Sequence, residues 1–359
     1  MHIPDGYLSP ATCATFGAAM VPVWYRASTQ VKKIVKSRYV PLIAVGAAFS
    51  FLVMMFNIPV PDGTTAHAVG AVMIAIVLGP WAAVIAVSIA LIIQALFFGD
   101  GGVLAIGVNC FNMAFVMPWV GYGVYRLVAR HTSLTSSRRA LAAGIGGYVG
   151  INAAALLTAI EFGLQPTLFH TANGTPLYAP FHLSQTIPAM MLAHLTVAGA
   201  AEFAVGAGVI AYLQRANVPI LRINHPNVPV TDAELARQRP LSWKHALVFF
   251  GALVALTPLG LLAPGTAFGE DHPTALNLEQ YHLNAVPQGL QRFSDFWSHT
   301  LLGGYGFSSG DNAVVGYLLS AVIGCAIITM VLVGFVFVYR RVTRKDEPEP
   351  ERHEPGVAA

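Results

Sequence analysis

The sequence predicts an all-α integral membrane protein, from its apolar composition, its long apolar runs and the distribution of its basic residues. Of its 359 residues, 55% are hydrophobic and only 10% are charged, whereas soluble domains carry about 25% charged residues. Apolar runs such as 140–162 and 313–339 are long enough to cross a bilayer core of about 30 Å as helices. These runs are continuous and do not alternate, which indicates spanning helices and not a closed barrel.

Nine apolar segments follow one another along the chain, at 10–29, 40–57, 67–79, 81–98, 107–127, 140–162, 184–213, 245–264 and 313–339. Before the first lies a polar decapeptide that lacks the basic start of a cleaved signal peptide. The third segment is too short to span, and it follows Pro59, Pro61 and Gly63, which break helices. Short broken helices are tolerated at membrane depth where they line a cavity. We therefore expect the first seven segments to form one bundle, with His67 at its outer mouth.

Lysine and arginine residues fall almost entirely in alternate loops. Cytoplasmic loops of membrane proteins are enriched in these residues. With the N-terminus outside, the predicted outer loops contain only Arg292 of the twenty basic residues. The sequence therefore predicts a multi-pass inner-membrane protein with its N-terminus outside and its C-terminus in the cytoplasm. The net charge of +3 follows from this topology and does not indicate a nucleic-acid partner.

Composition divides the chain into four predicted parts. Residues 1–213 form a membrane domain, 214–244 a polar and basic cytoplasmic linker, and 245–340 a two-helix domain. The stretch 341–359 is rich in Pro and Glu and is expected to be a disordered tail. A long outer segment, 265–312, joins the two helices of the third part.

His2 stands directly behind Met1, where it can build a metal chelate. The Met1 amine, the His2 backbone nitrogen and the Nδ1 atom of the His2 ring can close two fused chelate rings around one ion. The backbone nitrogen must lose its proton, which Ni(II), Cu(II) and Co(II) bring about in a square-planar nitrogen field. One planar position remains open, and the topology makes the His67 imidazole the best candidate for it. A His2 that only anchors the chain at the membrane interface is the alternative.

The stretch MHIPDGYLSP at the start of the chain resembles the beginning of CbiM/NikM proteins, the substrate-binding (S) components of cobalt and nickel energy-coupling factor transporters. VPDGTTAHAVG and QALFFGDGGVLAIGVNCFNMAFV also resemble segments of this family, and the resemblance covers about residues 1–215. It implies a square-planar set of four nitrogens: the Met1 amine, the His2 amide, the His2 imidazole and the His67 imidazole.

The resemblance also implies partners and a substrate. The partners are a membrane-embedded T component (CbiQ/NikQ type) and a cytoplasmic ATPase (CbiO/NikO type), beside the membrane lipid. Ni(II) or Co(II) is then the transported substrate and not a resident cofactor, and the sequence does not decide between the two metals.

Polar residues near these ligands are candidates to orient them, because a ligating imidazole usually donates its other N–H to a carboxylate, carbonyl or water. By topology the candidates are Asp5, Asp62, Thr64, Thr65, Asn109 and Asn112. Each of them is equally consistent with a helix cap or a turn.

The two C-terminal helices resemble, mainly in their layout, the small accessory subunit (CbiN/NikN type) that is fused to some family members. We interpret His272, His282 and His299 on the outer segment as ordinary exposed histidines, with transfer of metal to the site as the alternative. In the seventh segment, His194 is a candidate to pair with Glu202, because an ionisable side chain is costly to bury there.

Three other functions are weighed against metal capture. GFSSG around Ser308 matches the G-x-S-x-G motif of a serine hydrolase, but it lies in a Gly-rich and Ser-rich loop and not at a strand-to-helix elbow. No lysine follows a glycine, so the chain has no ATP-binding P-loop and is predicted to be a non-catalytic subunit. A passive metal channel remains open, although Glu161, His194 and Glu202 are its few polar spanning residues.

Overall fold

The computed structural model of the chain describes residues 1–35, 40–60, 63–228, 230–231, 243–262, 268–270, 272–307, 310 and 312–343. Asp62, Ser308, most of the predicted linker (229 and 232–242) and the predicted tail from 344 onwards lie outside these residues.

Within the described residues, seven helical segments form the N-terminal bundle, as the sequence predicts. They are α1 Pro10–Val35, α2 Val40–Met54, α3 Ala71–Leu78, α4 Pro80–Ile93, α5 Ile106–Asn109 with α6 Met117–Val128, α7 Ser137–Leu168, and α8 Leu183–Ala193 with α9 Gly199–Ala216. Pro80 opens α4 at a first-turn position, where its missing N–H has no helical partner to lose. The Ser136 side chain accepts a hydrogen bond from Arg138 N and caps the start of α7.

Three of the long helices contain π-helical turns, a feature often found at functional sites. Gln94–Phe98 ends α4, Cys110–Val116 joins α5 to α6, and His194–Ala198 joins α8 to α9. Nothing in the apolar pattern of the sequence predicts these turns.

Small residues let the central helix α7 approach its neighbours closely. A Cβ atom added to Gly146 would lie 2.5 Å from the Gly121 carbonyl oxygen, and one added to Gly150 would lie 2.7 Å from the Met117 carbonyl oxygen. Such close backbone packing is typical of helices that associate in membranes.

Four helical stretches of the described residues are long and apolar enough to cross a membrane: Pro80–Phe98, Ser137–Leu168, Leu183–Ala216 and Ala313–Gly334. The apolar helices Pro41–Met54 and Leu247–Leu261 are shorter. The protein is therefore an all-α membrane protein.

After α9 the chain turns back onto the bundle. The short helix α10, Val218–Leu221, buries Val218 and Leu221. The Asn224 side chain then donates hydrogen bonds to the carbonyls of Ala75 and Ile76 at the end of α3. The part of the predicted linker up to residue 228 is thus packed against the membrane domain.

The C-terminal part contains α11 Trp243–Leu256, continued by a 3₁₀ turn Thr257–Leu262, the short outer helix α12 Gln288–Phe293 and the long helix α13 Ala313–Thr343. Two further 3₁₀ turns, Pro273–Ala275 and Gly303–Tyr305, lie in the outer segment. This segment is docked on the bundle by backbone hydrogen bonds, from Leu301 N to Phe97 O at 2.8 Å and from Gly289 N to Leu177 O at 2.7 Å.

The one sheet of the described residues is a two-stranded antiparallel ribbon between α2 and α3. Its strands are β1 Ile58–Pro59 and β2 Thr65–Ala66, with Ile58 opposite Ala66. It places His67 directly after a strand and before the buried helix α3.

Candidate metal centre

The first five residues are inserted into one end of the bundle. Met1 is 1% exposed and His2 is 2% exposed. Ile3 is held on both sides, because Asn109 Oδ1 accepts from Ile3 N at 2.9 Å and Asn109 Nδ2 donates to Ile3 O at 3.1 Å. Gly102 N donates to the same carbonyl at 2.8 Å. The residue next to His2 is therefore fixed at three points.

Asp5 fastens the end of this inserted segment. Its carboxylate accepts hydrogen bonds from Val103 N at 3.0 Å and Leu104 N at 2.8 Å. A Cβ atom on Gly102 would lie 2.2 Å from the Asp5 carboxylate, so this position has no room for a larger residue. Burial raises the pKa of Asp5, and the backbone N–H donors partly offset that rise. The sequence Asp5-Gly6 fits a turn, and Gly6 has a φ of +88°.

His67 reaches the same place from the ribbon between α2 and α3. The residue is 2% exposed, and its Nδ1 lies 3.1 Å from the Ala68 carbonyl oxygen. If Nδ1 donates to that carbonyl, Nε2 carries the lone pair that can bind an ion. His67 Nε2 has no hydrogen-bond partner within the part of the chain that the structure describes.

The imidazoles of His2 and His67 face each other. Their ring centres are 5.0 Å apart and their planes differ by 23°. Two imidazoles that share one ion through metal–nitrogen bonds of about 2 Å have centres roughly 4 to 5 Å apart. The separation therefore suits a shared ion.

Neither ring nitrogen of His2 has a hydrogen-bond partner among the described residues. Its Nδ1 lies 3.2 Å from Asp100 Oδ1, without hydrogen-bond geometry.

The surroundings of both imidazoles favour the neutral form. Burial lowers the pKa of His2, although the Asp100 carboxylate acts in the opposite direction. Burial also lowers the pKa of His67 to well below its ordinary value, and the Met1 ammonium and His2 add to this effect. A neutral imidazole is the form that binds metal.

The Met1 amine forms an ion pair with Glu270, which belongs to the C-terminal part of the chain. The amine also lies 3.4 Å from Thr65 Oγ1. Thr64 Oγ1 donates to Glu270 Oε1 at 2.8 Å, and Thr65 Oγ1 donates to Glu270 Oε2. Burial raises the pKa of the Glu270 carboxyl, but the Met1 ammonium and these hydrogen bonds outweigh it, so the net pKa is lowered.

The structure brings together most of the residues singled out from the sequence. Met1, His2 and His67 meet in one buried pocket, and Thr64, Thr65 and Asn109 lie around it. Asn112 does not contact these groups by hydrogen bonds. Its Nδ2 donates to Glu161 Oε2 at 2.7 Å and to Thr158 Oγ1 at 3.1 Å, which ties the π-helical turn to α7.

The suggested pair between His194 and Glu202 is wrong. Glu202 Oε2 accepts from Val69 N at 2.7 Å and Gly70 N at 3.0 Å, and it thereby fixes the backbone just after His67. His194 Nδ1 lies 2.8 Å from the Met190 carbonyl oxygen. The remaining Glu202 Oε1 and His194 Nε2 atoms have no hydrogen-bond partner among the described residues. The backbone N–H groups at the start of α3 attract the carboxylate more effectively than the imidazole does.

The three histidines of the outer segment lie apart from the pocket. His272, His282 and His299 are exposed. His272 Nε2 lies 3.5 Å from Asp295 Oδ1, and His299 packs beside the Trp297 ring.

Three residues of the site were not predicted from the sequence: Glu270, Asp100 and Tyr305. Tyr305 OH donates to Asp100 Oδ2 at 2.5 Å, and Gln94 Nε2 donates to Tyr305 OH at 2.8 Å. Asp100 could have been found, because it lies in a stretch that resembles the family. Glu270 and Tyr305 carry no local signal, since they reach the pocket from a segment more than 200 residues away in sequence.

The chemistry of the pocket is that of nitrogen donors. Among the described residues, no three His, Cys, Asp or Glu side chains are grouped so as to hold a metal ion. The donors that do converge are a terminal amine and two imidazoles, joined by the backbone amide of His2. Nitrogen ligands of this kind suit late first-row ions such as Ni(II), Co(II) and Cu(II).

Fold and pocket together define a helical membrane protein with a buried, nitrogen-rich pocket at its N-terminal end. Residues 2–220 match the CbiM family, which is described as the cobalt uptake substrate-specific transmembrane region. The chain therefore belongs to the CbiM/NikM family of cobalt and nickel transport proteins.

Two fused relatives match over nearly their whole length. The chain is 47% identical over 357 residues to the fused nickel transport protein NikMN of Rhodobacter capsulatus, covering 96% of this chain and 99% of that protein. It is 44% identical over 339 residues to the probable fused nickel transport protein LarMN of Lactiplantibacillus plantarum, covering 93% of this chain and 97% of that protein. Since both alignments continue past α9, the C-terminal part is a NikN-like extension.

A crystal structure of a truncated transition metal transporter is similar to more than half of this chain. It has a TM-score of 0.56 and 60% sequence identity, and the match covers 59% of this chain and 98% of that chain.

Proposed function

We propose that this chain is the substrate-binding component of an energy-coupling factor importer and captures Ni(II) or Co(II) at the outer face of the inner membrane. The observation that carries the proposal is the convergence of the Met1 amine with the His2 and His67 imidazoles in one buried pocket. The ion would be held by these three groups and by the deprotonated His2 amide. A planar field of four nitrogens would provide the selectivity, since affinity alone would favour Cu(II).

The relatives that match along the whole chain are named nickel transport proteins. This favours Ni(II) as the substrate, while the family description names cobalt. Competition between the two ions for the purified protein decides between them.

The orientation and the energy source are part of the same proposal. The basic residues support an N-terminus outside and a C-terminus in the cytoplasm. The ligands are at most 2% exposed, so release inward requires a conformational change. We assign its driving force to ATP hydrolysis in a CbiO/NikO-type ATPase, acting through a CbiQ/NikQ-type membrane partner.

Each of the four parts of the chain is assigned a role in this proposal. We propose that residues 1–213 bind the ion, that 214–244 link the two membrane parts, that 245–340 form the accessory domain, and that 341–359 are a tail without a role in binding. The packing of α10 against the bundle suggests that the first part of the linker also supports the membrane domain.

Calorimetry with Ni(II) and Co(II) tests the ligand set on the native protein, on His67→Ala and on a form extended by one residue before Met1. We expect both altered forms to lose binding by at least about a hundredfold, because each lacks one of the four nitrogens. Tight binding by the extended form would show that the terminal amine is not a ligand.

Uptake into vesicles tests the energy source. Vesicles that contain this chain with both partner subunits should accumulate Ni(II) only when ATP is supplied. Accumulation by the chain alone, independent of ATP, would instead support a passive channel.

A further inference from the structure

Glu270 is the one carboxylate that the C-terminal extension places against the Met1 amine in the described structure. Its side chain is only 12% exposed. The backbone guides it there, because Phe268 N donates to Gly63 O at 3.2 Å and Gly269 turns the chain with a φ of +74°. The Phe268 ring packs on the Phe181 ring, and the two ring centres are 4.4 Å apart.

Both carboxylate oxygens of Glu270 are in use. Oε1 accepts from the Met1 amine and from Thr64 Oγ1, and Oε2 accepts from Thr65 Oγ1. The two threonines immediately precede Ala66 and His67 in the chain. Glu270 therefore joins the segment that carries one proposed ligand to the terminal amine, which is another.

This contact is compatible with a bound ion. A primary amine that coordinates a metal keeps two N–H groups, and either of them can still donate to a carboxylate. Carboxylates that accept a hydrogen bond from a metal ligand orient that ligand, and their loss typically weakens metal binding 10-fold to 100-fold. A carboxylate near a divalent ion also balances its charge in a buried pocket.

We propose that Glu270 is a positioning residue for metal binding, through which the extension holds the Met1 amine in the orientation that the ion requires. The proposal rests on the ligand set proposed above. It assigns the extension a direct role in ion capture. Within the described part of the bundle, the hydrogen bond found for the amine is the 3.4 Å contact to Thr65.

The test compares Glu270→Gln with Glu279→Gln in the full-length protein. Glu279 is an exposed acid of the same outer segment, so its variant makes the same charge change away from the pocket. We expect Glu270→Gln to weaken Ni(II) binding about 10-fold to 100-fold in calorimetry and Glu279→Gln to bind as the native protein does. Thr64→Val removes the 2.8 Å hydrogen bond to Glu270 and should weaken Ni(II) binding by about threefold to tenfold. This variant tests the same contact if Glu270→Gln does not fold.

A second measurement distinguishes loss of the orientation of the Met1 amine from a general loss of folded structure. The rate at which an amine-reactive reagent modifies Met1 without metal should rise several-fold in Glu270→Gln and not in Glu279→Gln. The visible absorption band of the Ni(II)-saturated protein should be unchanged in Glu270→Gln and altered or lost in His67→Ala.

The two proposals fail in different ways. If Glu270→Gln binds Ni(II) within about threefold of native while His67→Ala does not bind, the positioning role is wrong and the ligand set stands. If His67→Ala also binds as the native protein does, the ligand set itself is wrong.

Discussion

At the scale of single residues, the pocket is notable for buried polar atoms without partners. Both ring nitrogens of His2 and Nε2 of His67 make no hydrogen bond to the described residues, although both residues are 2% exposed. Buried polar atoms are nearly always hydrogen-bonded, since leaving one unpaired costs about 1–3 kcal/mol. A bound ion removes this cost, and the neutral imidazoles are the form that it needs.

The count of protons released on binding follows from these shifted pKa values. The pKa values of His2 and His67 lie below the ordinary 6.5 because both rings are buried, so each ring carries less of a proton near pH 6 than an ordinary histidine does. The two rings should therefore release fewer protons when an ion binds. We expect the number of protons released per Ni(II) to rise by less than about one between about pH 8 and about pH 6, measured by calorimetry in buffers of different protonation enthalpy.

Ordinary histidines would give a different count. Two rings with unshifted pKa values would together add more than one further proton at about pH 6. A rise of about two protons or more between these pH values would contradict the burial argument. The affinity for Ni(II) should fall as the pH is lowered whether the pKa values of the two histidines are lowered or ordinary. The fall in affinity per pH unit should be steeper for ordinary histidines, and this difference distinguishes the two cases.

At the scale of elements, the site depends on how the segment between the ribbon and α3 is held. Glu202 on α9 accepts hydrogen bonds from Val69 and Gly70, just after His67. Gly70 has a φ of +72° and stands at the N-terminus of α3. The carboxylate thus fixes both the start of this helix and the position of His67.

Glu202→Ala should therefore weaken Ni(II) binding, by about tenfold or more, and lower the melting temperature. It leaves two buried N–H groups unpaired, at about 1–3 kcal/mol each. Glu202→Gln keeps an acceptor oxygen and should remain much closer to native in both measurements, which are calorimetry and thermal unfolding.

Asn152→Ala is the matched control for this prediction. It also removes a buried polar side chain, whose Nδ2 donates to Tyr148 O one turn earlier in the same helix. Its effect on metal binding should be small. Native Ni(II) affinity in Glu202→Ala would show that His67 is held by other contacts.

Only some of these elements could be predicted from the sequence. Apolar runs and breakers predict the seven segments and a short third helix, because hydrophobic burial decides them. The third segment was expected to begin at His67, whereas the helix begins at Ala71 and His67 lies just before it. The ribbon of two-residue strands was missed, since so few residues give no alternating pattern. Asn112 was misplaced as a possible partner of the ligands, because a sequence does not tell which face of a π-helical turn points to the pocket.

At the scale of the whole molecule, the extension closes over the pocket of the bundle. Among the residues of the extension that the structure describes, Glu270 contacts the Met1 amine, and Tyr305 contacts Asp100 beside His2. The contact between Glu270 and Met1 joins residues 269 positions apart. Such a contact depends on the docking of the two parts, and for this reason the sequence alone did not reveal it.

The last helix supplies part of this docking, and one glycine makes it possible. α13 packs against α2 at Gly324, where an added Cβ atom would lie 2.1 Å from the Phe51 ring. Gly334 lies in the same helix, and an added Cβ atom there would have no atom within 4 Å. The two positions differ in packing but not in residue type, so they form a matched pair for substitution.

Gly324→Leu should push α13 away from the bundle, at a cost of about 1–3 kcal/mol from overpacking. Because the outer segment runs between α11 and α13, we expect weaker Ni(II) binding and faster modification of the Met1 amine. Gly334→Leu should change neither. If Gly324→Leu lowers the melting temperature but leaves Ni(II) affinity native, the docking of the last helix contributes to stability without contributing to the pocket.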